Sequence, residues 1–459
     1  MGENTYKFQP FFFERESTHT PSGISFRTVI EDHLFYDEAG QFEASLYYYS
    51  YIALPERQDR PVMFCYNGGP GASSSWVHMG LLGPKQVTFP HHPNKENVPE
   101  YGENQNFLLD CCDLVMINPP GTTYTFVRKE AESKYFSTTE DAAAVGQFIL
   151  AWLKKYGREN APVYLLGESY GTIRSLAVAD VLTGQVNLAG IVSIGTSFNV
   201  GSPTTMLVEP NVRRLGANAA CCWYHRHQGE ISQRQFVQEA MDFAYGKYAH
   251  ALLMGSRLPD AEFQQVLEKL HYYTGLDKEL LRRGDLRFDE MTYLTKMMPG
   301  QLVSAYDSRM TRPLAEDMTE AEWNQAIFSE PFIAFADTAI NNALTRYTKE
   351  DLAEPTNREA PFDMLQIAID WGYDTLKKDT LTLPAELMVR NGKLRFFFVA
   401  GYYDLQSTFD FVTYFLGRYT LPAERVTFRV YNAGHAAYVG GNTASEVSGD
   451  IRSFIAAEK

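Results

Sequence analysis

Residues 162–178 read PVYLLGESYGTIRSLAV, and no other stretch constrains the fold of this chain as tightly. The apolar run Val163 to Leu166 is too short for a helix and stops at Gly167, whereas the residues after Gly171 have a helix-like pattern. Ser169 lies between the two glycines in a Gly-x-Ser-x-Gly pattern. Between a strand and a helix, that pattern makes a cramped turn that lifts the serine hydroxyl into a cleft. The backbone N–H groups of the following helix then face developing negative charge. Glu168 is the awkward neighbour. A fixed carboxylate directly before a nucleophilic serine would repel the oxyanion that the serine generates.

The rest of the chain supplies the strands and helices that such a turn requires. VMFCYN (62–67), LVMIN (114–118), VYLL (163–166) and GIVSIG (190–195) are short apolar runs bounded by Gly, Pro and Asn. Helical patterns separate them, notably TTEDAAAVGQFILAWLKKYG (138–157), with Thr138 or Thr139 as its expected cap. This alternation predicts crossover units and a buried, largely parallel sheet. Before it, ISFRTVIEDHLFY and EASLYYYSYIAL flank the turn Asp37 to Gly40 and predict an antiparallel hairpin. From about Gly201 to Leu383 the rhythm gives way to polar, helical segments, and it resumes at LRFFFVAG (394–401) and RVTFRVYNAGH (425–435), two further buried-strand candidates. The expected architecture is an α/β-hydrolase core of residues 1–200 and 385–459, its mostly parallel sheet flanked by helices. A helical cap of residues 201–384 interrupts it and shapes the pocket.

Composition narrows the partners. A net charge of −15 disfavours nucleic acid and anionic membranes, which need clustered Lys and Arg. No apolar run approaches the roughly 18 residues of a membrane span, and the first residues lack the basic and apolar segments of a signal peptide. The five cysteines, Cys65, Cys111, Cys112, Cys221 and Cys222, are odd in number and include two vicinal pairs. They read as free thiols in a reducing compartment, so a cytoplasmic location is expected.

A serine nucleophile needs a general base, and the base needs an acid to orient it. In the α/β-hydrolase order the acid follows a late strand and the histidine follows the last one. Asp404 comes directly after FFFVAGYY, and His435 after RVYNAG, so these two complete the set with Ser169. Asp410 is the rival acid, but it lies further on, in a helix-like segment. The loop Asn67-Gly68-Gly69-Pro70-Gly71 ends an early strand, where such enzymes place an oxyanion donor.

Asn67-Gly-Gly-Pro-Gly-Ala-Ser-Ser, Gly167-Glu-Ser-Tyr-Gly, Gly401-Tyr-Tyr-Asp and Ala433-Gly-His together resemble the motifs of the serine carboxypeptidase family, in family order. The resemblance implies release of C-terminal residues through an acyl-enzyme formed on Ser169. It implies that Asn67, Gly68 and Glu168 bind the substrate carboxylate, and that the Gly69 and Tyr170 N–H groups hold the oxyanion. Glu168 then ceases to be awkward: sharing one proton with the substrate carboxylate, it donates a hydrogen bond instead of repelling. Two residues depart from the family pattern. Leu81 stands where relatives commonly carry a second Glu, and Ala72 replaces a disulfide cysteine. The Leu81 departure leaves an acyltransferase, esterase or amidase acting on small acyl groups as the alternative. No cofactor is expected, and the partner is a peptide or small acyl substrate.

Two other features invite a functional role. CCWYHRH (221–227) has no second ligand pair at zinc-like spacing, so no metal site is predicted. Trp76, Tyr66 and the run Tyr47 to Tyr49 are aromatics expected in the core or on the sheet surface.

Overall fold

The structure is a computed structural model, and it describes residues 8–90, 98–198, 209–314, 330–354, 367–368, 370–373 and 376–457. Its backbone is a nine-stranded sheet among these residues. We number its strands β1 (Phe12–Thr18), β2 (Ser25–Tyr36), β3 (Phe42–Ala53), β4 (Val62–Tyr66), β5 (Asp113–Asn118), β6 (Pro162–Glu168), β7 (Asn187–Ile194), β8 (Arg395–Gly401) and β9 (Val426–Tyr431). The spatial order is β1-β2-β3-β5-β4-β6-β7-β8-β9. β1 to β3 pair antiparallel, β3 meets β5 antiparallel, and every pairing from β5 through β9 is parallel. This is the α/β-hydrolase arrangement, with an antiparallel flap at one edge.

The apolar runs are continuous because both faces of the parallel strands are covered. On β4, Met63 and Cys65 face one core cluster while Val62, Phe64 and Tyr66 face the other. Helices Thr138–Lys155, Tyr170–Leu182, Leu383–Arg390 and Phe409–Arg418 pack on the second face; Thr443–Ala456 and Pro331–Arg346 pack on the first. The hairpin turn is held by Asp37, whose Oδ1 accepts from the Gln41 N–H at 2.8 Å.

Apolar residues between Val212 and Ala305 form a third cluster, built largely from helices such as Leu215–Cys222, Gln233–Phe243 and Asp260–Thr274. Tyr403, Leu405 and Phe409 of the sheet domain join that cluster, so the inserted helices are seated on the loop after β8. Residues 201–208, where the insertion is expected to begin, lie outside the described residues.

Several local expectations need correction. The cap of helix Thr138–Lys155 is Ser137, not Thr138 or Thr139: Ser137 has extended backbone (φ −147°, ψ 153°), and the Thr138 N–H donates to Gly372 O at 3.1 Å. The strand after Arg425 is not fully buried. β9 is an edge strand with one neighbour, and of its six residues only Tyr431 is buried. β1 is absent from the sequence reading because FFEREST lies exposed at the opposite edge and carries no apolar alternation. The insertion also holds a small antiparallel pair, Gln301–Val303 with Thr311–Pro313, whose connecting loop reaches the site described below.

Packing is especially tight at the end of β6, where the serine turn begins. A Cβ on Gly167 would sit 2.1 Å from Gly171 O and 2.6 Å from Ser175 Oγ. Backbone cannot yield as a flexible side chain can, and overpacking of this kind costs about 1–3 kcal/mol or more. Gly167→Ala should therefore lower stability by at least about 2 kcal/mol, read as a fall in the urea midpoint at unchanged slope; a midpoint like that of the parent chain would contradict the packing described.

Candidate active site

β4, β6, β8 and β9 all end at the same edge of the sheet, and the loops that follow them hold the predicted residues. Ser169 follows β6 and precedes helix Tyr170–Leu182. Its backbone is left-handed (φ 57°, ψ −125°), a conformation that non-glycine residues rarely adopt and that marks stored strain. Neighbours hold it there. Its N–H donates to Ile194 O at 2.9 Å, and its carbonyl accepts from the Thr172 hydroxyl at 2.7 Å.

Asp404, in the loop after β8, is fully buried and preorganised: its Oδ1 accepts from the backbone N–H groups of Gln406 and Ser407 at 2.8 and 2.9 Å. Its Oδ2 lies 2.8 Å from Nδ1 of His435, in the loop after β9. The His435 backbone N–H donates to Tyr306 O at 2.6 Å, and the Tyr306 ring stands edge-on to the imidazole with centroids 5.1 Å apart. Gly195 makes room for the ring, since a Cβ there would lie 2.9 Å from it. At the far side of the imidazole, Nε2 is buried without a hydrogen-bond partner among the described residues. Such an orphan is costly in a purely structural role. Burial alone would lower the histidine pKa, but the Asp404 charge and hydrogen bond, with Glu168 and Glu330 behind them, leave it raised. Asp410, the rival acid, is committed elsewhere: its Oδ2 accepts from the N–H groups of Gly216 and Ala217, at the start of helix Leu215–Cys222.

The loop after β4 presses against the serine turn. A Cβ on Gly68 would lie 2.5 Å from the Tyr170 nitrogen, so only glycine lets the loop approach the first N–H of the helix. Gly69 has φ 98°, and Gly68 O accepts from the Ala72 N–H at 3.2 Å. Asn67 is anchored at both ends: its Oδ1 accepts from the Val77 N–H at 3.0 Å, and its carbonyl from the Arg174 guanidinium at 2.7 Å. Arg174 in turn pairs with buried Asp141 at 2.6 Å.

Glu168 is 5% exposed. Burial pushes its carboxyl up to about 7, against the lowering effects of the His435 charge and of hydrogen bonds from Tyr438 and Asn67. The Tyr438 hydroxyl donates to Oε2 at 2.5 Å. Sequence reasoning missed Tyr438. Its ring fits only because residue 80 is glycine, where a Cβ would lie 2.6 Å from it. Leu81, one residue on, is buried in the core. A phenol thus partners Glu168 in this chain, and the paired signal was Gly80 with a tyrosine three positions after His435.

A cavity of about 310 Å³ gathers these groups. Ser169, His435, Glu168, Asn67, Gly68 and Gly69 line one part; Trp76, Tyr306, Phe332, Ile333, Asp337 and Asn341 line another. Trp76 both packs against the first core cluster, as expected, and lines the pocket, because the short helix Ser75–Val77 turns it toward helix Pro331–Arg346 of the insertion. Tyr66 and Tyr47 to Tyr49 are buried in the core. In 221–227, His225 Nε2 lies 2.7 Å from Ser308 O and His227 pairs with Glu230, so both serve local packing.

The sheet order and the loops at this end of it are those of the α/β-hydrolase fold. Comparison with known proteins goes further: residues 31–195 match the model of the serine carboxypeptidase family, the family that the sequence motifs resemble. The chain is 25% identical over 128 residues to serine carboxypeptidase-like 34 of Arabidopsis thaliana, covering 28% of this chain and 25% of that protein. It is 29% identical over 134 residues to a vitellogenic carboxypeptidase of Aedes aegypti, covering 28% and 26%. The matches thus span about a quarter of these relatives' length. Among solved structures, the prohormone-processing carboxypeptidase Kex1(delta)p of Saccharomyces cerevisiae superposes with a TM-score of 0.53 at 14% identity. The superposition covers 94% of this chain and 91% of that one. At that identity the likeness is one of fold.

Ser169 lines the cavity together with His435, and organophosphate labelling tests whether its hydroxyl is the reactive one. Ser169→Ala should abolish covalent labelling by an organophosphate while leaving the melting temperature within about 2 °C, and Asp404→Asn should slow labelling by about 10³-fold or more. Undiminished labelling of either variant would remove that residue from the set.

Proposed function

We propose that the protein is a serine-type carboxypeptidase. The supporting observation is that one cavity holds both Ser169 with His435 and a buried, near-neutral Glu168 beside Asn67 and Gly68. Ser169 attacks the last peptide carbonyl while His435 takes its proton through Nε2, and Asp404 stabilises the imidazolium. The Gly69 and Tyr170 N–H groups hold the oxyanion. The imidazolium returns the proton to the departing amino acid, and water, activated by His435, then releases the acyl group from Ser169. Asn67, Gly68 and protonated Glu168 bind the free carboxylate of the departing residue. The same reading places the enzyme in a reducing compartment, in keeping with five free cysteines.

The carboxylate site gives the reading its own pH signature. Below about 7 Glu168 carries its proton and donates to the substrate; above that it ionises, and two adjacent anions repel. Cleavage of a free-acid peptide relative to its C-terminal amide should therefore be highest at acidic pH and fall as pH rises through about 7. Mass spectrometry of paired peptides between pH 4 and 8 provides the measurement. Equal rates on acid and amide at every pH would favour an esterase or amidase acting on small acyl groups.

Tyr438→Phe removes a donor that favours the ionised form of Glu168. The carboxyl should then hold its proton to higher pH, moving the falling limb for free-acid peptides upward. A limb at the parent pH would exclude Tyr438 from carboxylate recognition.

A further inference from the structure

The cavity beside Ser169 is lined by two carboxylates, Glu168 and Asp337, and by no lysine or arginine among the described residues. Asp337 stands on helix Pro331–Arg346, which the insertion contributes. Its Oδ1 accepts from the Trp76 indole N–H at 2.9 Å, and its Oδ2 from the Asn341 amide at 2.9 Å. Both donors are neutral, so the charge is oriented but not balanced by an ion pair among the described residues.

Trp76 also locates this carboxylate relative to the scissile bond. The next residue, Val77, donates its N–H to the Asn67 side chain. One short segment therefore ties Asn67, proposed to bind the substrate's free carboxylate, to Asp337. On the carboxypeptidase reading, that link assigns Asp337 to the departing-residue side of the cavity. The way to it is apolar, since the Trp76 and Phe332 rings stand 5.5 Å apart and both line the cavity.

An aliphatic stem ending in a cation matches that surface: the methylenes cover the aromatic wall, and the charged tip meets the carboxylate. We propose that Asp337 selects peptides whose departing C-terminal residue is lysine or arginine. This rests on the carboxypeptidase reading of Ser169. A C-terminal aspartate or glutamate would meet a like charge, and an apolar residue would leave Asp337 without a counter-charge.

Peptides identical except for a C-terminal lysine, norleucine or glutamate test the assignment, because norleucine keeps the stem and lacks the ammonium. The parent enzyme should show a kcat/KM ratio of lysine to norleucine of roughly tenfold or more, the scale of one charged hydrogen bond. Asp337→Asn should bring that ratio close to one, Asp337→Glu should retain it, and Asp337→Lys should shift preference to glutamate, a gain that misfolding cannot produce. An unchanged ratio in Asp337→Asn would overturn the proposal. Calorimetric titration of free lysine and norleucine separates it from the proposed activity. Tighter lysine binding that is lost in Asp337→Asn supports the cation site even where no peptide is trimmed, an outcome that would refute only the carboxypeptidase reading. Equal binding of both amino acids would refute only the role of Asp337.

Discussion

The site depends on how closely three backbones converge at the end of β4 and β6. Gly68, Gly167 and Gly171 meet where a Cβ on any of them would come within 2.9 Å of another backbone atom. That contact brings the loop after β4 against the first N–H of helix Tyr170–Leu182 and holds Ser169 in its strained turn. Side-chain packing could not impose such a geometry with equal rigidity, because side chains move between rotamers and main chain does not. Arg174 reinforces it from within, joining Asn67 to Asp141 across the helix that carries the serine.

Electrostatics then divides the acids of the cleft into different tasks. Asp404 receives two backbone N–H bonds and faces the imidazole. Burial pushes the Glu168 carboxyl up to about 7, which on the proposed reading turns a carboxylate beside a nucleophile from a repulsive charge into a donor. Asp337 keeps two neutral donors at the other part of the cavity. Three carboxyl groups, two lining the cavity and Asp404 buried behind His435, differ because their surroundings differ.

The insertion builds part of this cavity. Tyr306, in the loop of its small antiparallel pair, orients His435 through both its carbonyl and its ring, and helix Pro331–Arg346 supplies Phe332 and Asp337 to the cavity. Sequence reasoning found no code in this region, for a physical reason: these residues act through contacts with partners more than a hundred positions away. Periodicity and local motifs report only neighbours in the chain. Tyr438 escaped notice for the same reason, since its role depends on the space left by Gly80. The pocket-facing side of Trp76 was not legible in the sequence, because the helix it faces lies far away in the chain.

The sequence by itself determined the elements that local physics controls. Apolar runs between glycines became buried parallel strands, the turn around Ser169 followed from its two glycines, and the chain order of Ser169, Asp404 and His435 matched their positions beyond successive strand ends. Only the tertiary structure decided what those residues touch. The burial that holds Glu168 near neutrality, the phenol that partners it and the carboxylate at the far wall all arise from long-range packing. Dielectric environment and hydrogen-bond partners are properties of a three-dimensional neighbourhood, and a linear pattern does not carry them.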